Sequence, residues 1–473
     1  MSKADEVGSE VVYLQAQILI VGGGPAGLAA CKRFITTGVS VVLVDENPEL
    51  GGQYYRQRSD HIRRTAGDFR RQGRELVKAV RNSEIRVVSS SYIFAVDDAD
   101  KVFYAFNEKT NSVVKILCEY VIVATGSYEL VLPYRGWETP RCITPGMASR
   151  LFDIDLINSK QSIVVGGGGP FLLSVAAHLL ERGVNVKAVI EYHNPYVPRI
   201  AIVFVLLFPT RLIEFLRYRW ILWCKKVPIY SGYQVKSAEP LEHGIRSKFV
   251  SVSGGSELDF DTDFLAISYG FLPTIELAST LDVFLEQTVH GYGTKTTLSG
   301  RSSRDWIYVV GESVSIQGWR SALLRGQLAA LEILSKLQGT SINHWASFFG
   351  MTIGVLCETL FTYLRKIVFQ EDKPLRIIAD DETLVCRCEC VTYHEIGQYL
   401  DQAWSTASGL KAETRVGMGI CQGKQCGYAL SQICSSLGVK AGDTFINIRI
   451  PLRPVPISAL MQLPDKSDLA RCS

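Results

Sequence analysis

The sequence predicts an α/β fold with two dinucleotide-binding units, followed by a small α-rich module that carries clustered cysteines. In residues 17–45 an apolar strand enters a run of glycines, and a helix and a second strand follow. The same order of elements recurs at residues 162–191, roughly 145 positions later. Five cysteines then fall between Cys386 and Cys426. These three observations define the predicted fold class.

Length, charge and cysteine usage restrict the classes of protein that remain. The 473 residues are 47% hydrophobic and 21% charged, as in ordinary globular proteins. A formal net charge of +3 is too small to indicate nucleic-acid binding. The first ten residues carry acidic side chains and no apolar run, so we expect no signal peptide. Twelve cysteines then indicate a reducing, cytoplasmic compartment.

No apolar run reaches the roughly 18 residues that a membrane span requires, so no transmembrane span is expected. The nearest candidate, residues 200–208, is closed by Pro209. The amphipathic, aromatic stretch that follows is interpreted first as a core or partner-facing helix and second as a membrane-surface helix.

The first glycine loop has the residues of a dinucleotide-binding fingerprint. Its first glycine permits the turn out of the strand, its second lets the backbone approach a pyrophosphate, and its third allows close packing of helix on strand. The N-terminus of the helix presents N–H groups and positive potential to the anion. An acid 23 residues after the first glycine can accept from ribose hydroxyls, with the next residue as a fallback. The predicted contacts are Gly22, Gly24, Pro25, Ala26, Gly27, Asp45 and Glu46.

Three further motifs favour a flavin over a nicotinamide. They are "GGQYYR" after the second strand, "ATG" at the end of a buried strand, and a late Gly-acid pair. Together with the glycine loop they resemble the glutathione-reductase-like flavoproteins over about residues 15–335. In that class the late acid is usually Asp, so Glu312 adds a methylene to the expected hydrogen bond with the ribityl chain. The predicted flavin contacts are Gly52, Gln53, Arg56, Ala124, Thr125, Gly126, Gly311 and Glu312.

The second unit departs from the fingerprint. Leu172 takes the place of the third glycine, and Ile190 falls at the ribose-acid position with Glu191 next to it. An adenine nucleotide and a vestigial loop therefore both remain open for Gly167–Leu172. No cysteine pair follows "GGQ", and Cys142 stands alone, so the chain does not resemble a disulfide reductase at its redox centre. Five other cysteines are interpreted as core residues: Cys31, Cys118, Cys224, Cys357 and Cys434.

The C-terminal cysteines are spaced as C-x-C and C-x4-C, with 32 residues between the pairs. Four thiolates suit an iron–sulfur cluster or zinc, and a metal-free core is the third interpretation. Structural zinc sites prefer C-x2–4-C knuckles on both sides, so the spacing favours a cluster. It resembles the [2Fe–2S] domain of the bacterioferritin-associated ferredoxin type. That resemblance implies Cys386, Cys388, Cys421 and Cys426 as ligands and Cys390 as a bystander.

Longer stretches extend a resemblance over nearly the whole chain. "VLPYRGWETP", "VCRCE", "TRVGMGICQGKQC" and "RPVPI" resemble the flavoprotein A or α subunits of opine oxidases, hydrogen cyanide synthase and the proline and hydroxyproline dehydrogenases. The resemblance implies FAD or another adenine nucleotide, a [2Fe–2S] cluster, and an FMN that can sit at a subunit interface. It also implies a β subunit with a D-amino-acid-oxidase-like fold, a small ferredoxin-like third subunit in some members, and a respiratory-chain acceptor. The expected location is cytoplasmic, or peripheral at the inner face of the membrane.

The predicted function is that of an electron-transferring subunit of a heteromeric amino-acid or opine dehydrogenase. The seven histidines show no paired spacing, so no catalytic residue is assigned. The alternatives are a self-contained NAD(P)H-dependent oxidoreductase and a scaffold subunit with degenerate nucleotide sites. The predicted domains are a discontinuous FAD domain, a second nucleotide-binding-like domain, a helical linker, and the [2Fe–2S] domain with the C-terminal tail. Their bounds are 12–155 with 298–337, 156–297, 338–380 and 381–473.

Overall fold

The computed structural model contains two parallel-stranded sheets and a small C-terminal module. It describes residues 11–56, 69–154, 156–194, 208–339, 345–400, 406–436 and 448–463. The helices are α1 (Pro25–Phe34), α2 (Phe69–Arg81), α3 (Pro145–Asp153), α4 (Phe171–Glu181), α5 (Pro209–Cys224), α6 (Glu276–Thr280), α7 (Trp319–Gln338), α8 (Trp345–Phe369), α9 (Tyr393–Leu400), α10 (Ala407–Thr414), α11 (Gly427–Ser436) and α12 (Ile457–Leu460).

The strands belong to six sheets of the described chain. They are β1 (Val12–Val21), β2 (Val41–Val44), β3 (Arg86–Val88), β4 (Ser91–Asp97), β5 (Val102–Asn107), β6 (Ser112–Val123), β7 (Ser127–Glu129), β8 (Cys142–Ile143), β9 (Ser162–Gly167), β10 (Asn185–Glu191), β11 (Ile229–Ser231), β12 (Tyr233–Leu241), β13 (Gly244–Ser251), β14 (Glu257–Thr262), β15 (Phe264–Ser268), β16 (Phe271–Pro273), β17 (Leu285–Thr288), β18 (Gly291–Thr294), β19 (Ile307–Val309), β20 (Leu384–Cys386) and β21 (Val391–Thr392).

The first sheet brings three sequence motifs to one edge. Its order is β3-β2-β1-β6-β5-β4, and β19 pairs with β6. Strands β1, β6 and β19 are parallel, and Val21, Val123 and Val309 lie in register. The glycine loop, the Ala-Thr-Gly turn and the late Gly-acid pair each follow one of these strands. Since carboxyl ends of parallel strands share an edge, the motifs converge there.

The second unit repeats this arrangement with a smaller sheet of order β11-β10-β9-β15-β8, in which every pairing is parallel. Helix α4 packs on it through a fully apolar face that includes Leu172 and Ala176. An antiparallel sheet, β12-β13-β14, follows. The two parallel units confirm the predicted α/β, two-dinucleotide-binding fold.

The cysteine module is a β20–β21 hairpin with helices α9, α10 and α11 around a separate apolar core. It docks on the main fold through polar contacts. Trp137 Nε1 donates to Leu384 O at 2.5 Å, and Lys424 Nζ lies 3.3 Å from Glu276 Oε1. Residues 448–463 return to the first sheet instead, where Leu452 N donates to Phe94 O at 2.8 Å. The predicted 381–473 domain grouped this last segment with the cysteine module.

Helices α5 and α8 differ from the expectations drawn for their sequences. Cys224 and Cys357, predicted as core residues, are exposed on them. Within the described chain one helix, Ala346–Phe369, is long and apolar enough to cross a membrane. Glu358 and several hydroxyl residues interrupt the apolar sequence of this helix. The sequence therefore has no continuous apolar run there, and no membrane span was predicted.

Candidate functional site

In the first glycine loop, two of the three fingerprint glycines lie too close to neighbouring backbone to carry a side chain. Gly22 has φ +109°, and a Cβ on it would lie 2.3 Å from Ala124 O. A Cβ on Gly27 would lie 1.9 Å from Gly22 O. Gly24 caps α1 and has no atom closer than 3.9 Å to its Cβ position. The space above Gly24 is the approach that a pyrophosphate requires.

Asp45 lies where the sequence places the ribose-binding acid. It is buried, its Oδ2 accepts from Gly23 N at 2.5 Å, and its Oδ1 accepts from Asn47 N at 2.7 Å. Burial raises the pKa of Asp45, and the hydrogen bonds from Asn47 and Gly23 oppose that rise. The carboxylate is therefore fixed in orientation before any ribose hydroxyl binds.

Glu46 and Arg56 make different contacts in the structure. Glu46 Oε2 pairs with Arg453 Nη1 at 2.5 Å, so it faces the C-terminal segment. Arg56 Nη2 lies 3.4 Å from Asn47 Oδ1, near the acidic end of β2. Burial and then the charge of Arg150 lower the pKa of Arg56. Arg56 thus stays close to the loop, whereas Glu46 does not face it.

The "GGQYYR" segment lies directly against the glycine loop. A Cβ on Gly52 would lie 2.8 Å from Gly24 Cα. Gln53 is exposed, and the ring of Tyr54 stacks on Trp319 with centroids 5.3 Å apart. Trp319 begins α7, the helix that follows the late Gly-acid pair, so this stack joins the segment to that helix.

The late Gly-acid pair and the Ala-Thr-Gly turn meet at a serine that sequence reasoning did not single out. Ser313 Oγ accepts from Gly126 N at 2.8 Å and lies 3.2 Å from Thr125 Oγ1. Glu312 Oε2 accepts from Ser127 Oγ at 2.7 Å. Burial raises the pKa of Glu312, and the Ser127 hydrogen bond opposes the rise. Ser313 directly follows Gly311-Glu312, and that adjacency was the one available signal.

In the second unit the ribose-acid position belongs to Glu191 rather than Ile190. A bulge between Val186 and Ala188 adds one residue to β10, and Glu191 then pairs with Gly167, the first glycine of its loop. This is the register that Asp45 has in the first unit. Counting residues along the sequence cannot detect the bulge, so it placed Ile190 there.

The glycine loop of the second unit, Gly167–Leu172, also lies beside two glutamate side chains. Glu191 Oε1 accepts from Gly169 N at 3.0 Å. Glu371 Oε1 lies 3.6 Å from the Cβ position of Gly169, and its carboxylate also pairs with Arg365 at 3.0 Å. The Glu371 side chain therefore lies close to the path by which a pyrophosphate would approach this loop, and Arg365 offsets its charge.

Glu191→Gln should change how stability depends on pH. Burial raises the pKa of Glu191 from 4.5 to about 8. The folded chain therefore holds this proton more tightly than the unfolded chain, and the free energy of unfolding falls as pH rises from about 4.5 to 8. We expect the Tm of Glu191→Gln to exceed that of the unmodified chain at pH 8 and to match it near pH 5. Glu286→Gln, at an exposed position, is the control, and a pH-independent Tm difference would contradict the assignment.

The four cysteines predicted as ligands approach one another in two pairs. The Cys426 thiol donates to the Cys386 sulfur, which lowers the pKa of Cys386 to about 6, and backbone N–H groups of Gly417, Glu389 and Cys388 add to the effect. Cys388 lies against Cys421, and burial raises its pKa. A sulfur that accepts several N–H groups is suited to the thiolate form that metals bind.

The loops around these sulfurs are tightly packed. A Cβ on Gly419 would lie 2.3 Å from Cys388 Cβ. Cys390 is exposed at φ +55°, and its Sγ lies 3.9 Å from Arg387 O. Among the described residues no group of three or more His, Cys, Asp or Glu side chains is arranged to hold a metal ion. The four cysteines and the N–H groups around Cys386 thus suit ligation by four thiolates. In this structure the sulfurs contact one another in two separate pairs.

Strand β7 joins the two sites. Ser127 bonds to Glu312 at the first glycine-loop edge. The next residue, Tyr128, is half-buried, and its pKa is raised first by burial and then by the charges of Glu276, Cys421 and Cys426. Lys424 of the cysteine module lies over its ring at 6.0 Å. One residue of β7 therefore bonds to the predicted flavin site while its neighbour faces the cysteine module.

Comparison with known proteins gives one family match. Residues 16–326 match the family described as pyridine nucleotide-disulphide oxidoreductase. The match spans both dinucleotide-binding units.

Individual relatives cover most of the chain. The A subunit of opine oxidase from Rhizobium meliloti is 27% identical over 475 residues, which is 94% of this chain and 87% of that protein. Hydrogen cyanide synthase subunit HcnB of Pseudomonas protegens is 26% identical over 476 residues, covering 93% of this chain and 96% of that protein. The crystal structure of L-proline dehydrogenase from P. horikoshii has a TM-score of 0.65 at 18% identity, over 95% of this chain and 80% of that chain. That last likeness shows a shared fold.

Proposed function

The chain belongs to the pyridine nucleotide-disulphide oxidoreductase family, and on that premise we propose that it is a subunit of a heteromeric amino-acid or opine dehydrogenase. In this proposal it passes electrons from oxidation of a C–N bond, through FAD and a [2Fe–2S] cluster, to the respiratory chain. The curated relatives named as subunits of opine oxidase and hydrogen cyanide synthase support a heteromer. The proposed partner is a D-amino-acid-oxidase-like β subunit, with FMN at the interface and a small third subunit as further components.

The first unit would hold FAD. The open approach over Gly24 and the fixed Asp45 carboxylate fit a dinucleotide, and Ser313 orders the turn at Gly126. FAD, when bound, supplies hydride and electron transfer that the side chains lack. The residues themselves orient the adenosine end, keep Asp45 away from bulk water and present backbone N–H groups to the pyrophosphate.

The cysteine module would hold the [2Fe–2S] cluster through Cys386, Cys388, Cys421 and Cys426. A cluster supplies one-electron transfer. The N–H donors around Cys386 favour its thiolate, and Gly419 keeps the Cys388 loop close enough for ligation.

The observation that carries the proposal is the position of β7. Electron transfer requires redox groups to lie close in space. On β7, Ser127 bonds to Glu312 at the proposed flavin site, and its neighbour Tyr128 faces the cysteine module. Lys424, three residues after Cys421, also lies over the Tyr128 ring at 6.0 Å. We assign no catalytic residue to the chain, because C–N oxidation belongs to the partner in this proposal.

The alternative is a self-contained NAD(P)H-dependent oxidoreductase with FAD and the cluster. The register of Glu191 favours it, since a carboxylate stands at the ribose position of the second unit. The Glu371 side chain opposes it, because it lies beside Gly169 where a pyrophosphate would approach the loop. We therefore place this function second.

Co-expression with the β subunit tests the first proposal. The purified complex should reduce an artificial electron acceptor when given glycine, proline, hydroxyproline or an opine, and neither protein should do so by itself. Acceptor reduction by the isolated β subunit, at the rate of the complex, would contradict an electron-transferring role for this chain.

A further inference from the structure

Two neighbouring helices, α5 and α8, each expose a stripe of large apolar side chains. On α5 the stripe recurs at i, i+3, i+7 and i+10, and on α8 at i, i+4, i+7, i+11 and i+14, so each follows one face of its helix. The side chains are between 44% and 70% exposed. The members of this two-stripe surface are Ile213, Leu216, Trp220, Trp223, Phe349, Ile353, Leu356, Leu360 and Tyr363.

The two helices are fixed to each other and to the fold. Arg211 Nη2 lies 2.6 Å from Glu358 Oε2, and the Arg211 guanidinium lies 4.7 Å from the centroid of the Phe361 ring. On its other side α8 packs on α7 through Met351 and Val355. Helix α8 therefore lies along the protein surface, and crossing a bilayer would require it to leave α7.

The charges around the two-stripe surface are net positive. Between residues 346 and 364 the single charged residue of α8 is Glu358, which Arg211 neutralises. Arg219 lies on one flank of the α5 stripe, and Lys225 and Lys226 follow its end. These three side chains are exposed and have no ion-pair partner among the described residues.

Two further charged groups of α5 lie near the stripe. Arg217, on the opposite flank, pairs with Glu181 at 2.8 Å. Glu214 is an exposed carboxylate, and its Oε1 accepts from Tyr218 Oη at 2.9 Å. The border of the stripe thus carries three unpaired cations against one carboxylate among the described residues, which leaves it net positive.

We propose that this surface docks in the plane of an anionic phospholipid bilayer. Apolar stripes with tryptophans and a basic border are suited to the headgroup boundary, where indole rings bury and cations meet phosphates. Residues 200–207, which precede α5 in the sequence, contain no charged side chain. A protein partner would have to supply carboxylates to the same border. The inference concerns location and does not depend on which reaction the chain serves.

Vesicle flotation of the full chain tests the proposal. We expect the chain to float with phosphatidylglycerol-containing vesicles, to float weakly with phosphatidylcholine vesicles, and to be released as salt is raised. The double variant Trp220→Ser/Trp223→Ser should lose binding by about tenfold or more, and Arg219→Glu should weaken binding to the anionic vesicles alone. Phe284→Ser is the matched control, because Phe284 is 67% exposed away from these helices.

Any of the following results would contradict the proposal. Failure to float with anionic vesicles overturns it, as does equal loss in the Phe284→Ser control. If the double variant instead fails to co-purify with a β subunit, or if the assembled complex no longer floats, the surface is a subunit interface. Equal melting temperatures of the variants show that folding does not cause the differences.

Discussion

Cys388→Ser should remove the visible absorption of the cluster and most of the iron from the purified chain. Cys388 lies in a pair with Cys421, and loss of one thiolate leaves three of the four proposed ligands. Cys390→Ser is the matched control, since Cys390 is two residues away, exposed and turned toward Arg387. It should keep iron and absorption unchanged. Iron and acid-labile sulfide are measured after anaerobic purification.

Two results would contradict the ligand assignment. Retention of cluster absorption by Cys388→Ser would remove that residue from the set, and loss in Cys390→Ser would place the bystander inside it. Zinc in place of iron and sulfide would favour the structural-zinc interpretation of the same four thiols.

Gly22→Ala should abolish FAD binding and destabilise the first domain by about 3 kcal/mol or more. Its φ of +109° is unfavourable for alanine, and the new Cβ would lie 2.3 Å from Ala124 O. Gly38→Ala separates these two causes, because Gly38 has φ +73° with no atom within 4 Å of its Cβ position. That control should cost about 1 kcal/mol and keep its flavin. Thermal unfolding and flavin content measure both effects.

Gly24→Ala completes the series. Its Cβ position is open, so the chain should fold normally while the added methyl group obstructs the pyrophosphate. Flavin loss with an unchanged Tm is therefore expected. Full flavin content in both Gly22→Ala and Gly24→Ala would exclude this loop as the cofactor cradle.

The features that the sequence predicted well are local ones. The two strand–glycine–helix units and the Gly-acid pair of β19 each depend on a few consecutive residues, so patterns of spacing reveal them. The features it missed depend on contacts between distant residues or on an added residue within a strand. Glu312 and Ser127 are 185 residues apart, and the bulge in β10 moves Glu191 into the ribose-acid register.

Burial was harder to predict than secondary structure. Cys224 and Cys357 lie in apolar stretches, which favour a core position, yet the helices that carry them expose their apolar sides. A sequence gives the periodicity of a helix but not the side that neighbouring elements cover. In the cysteine module the sequence did predict contacts between distant residues. The spacing of the cysteines grouped four of them, and the structure brings these together as two sulfur pairs whose members lie more than 30 positions apart.

Anaerobic mixing of the flavin-loaded chain with NADH tests the source of its electrons. In the proposed function, electrons reach this chain from a partner protein and not from a nicotinamide in the second unit, where Glu371 lies beside the glycine loop. We expect the flavin absorbance to stay unchanged with NADH or NADPH and to bleach when the β subunit is added together with its amino-acid or opine donor. Rapid bleaching by NADH without any partner would contradict this expectation.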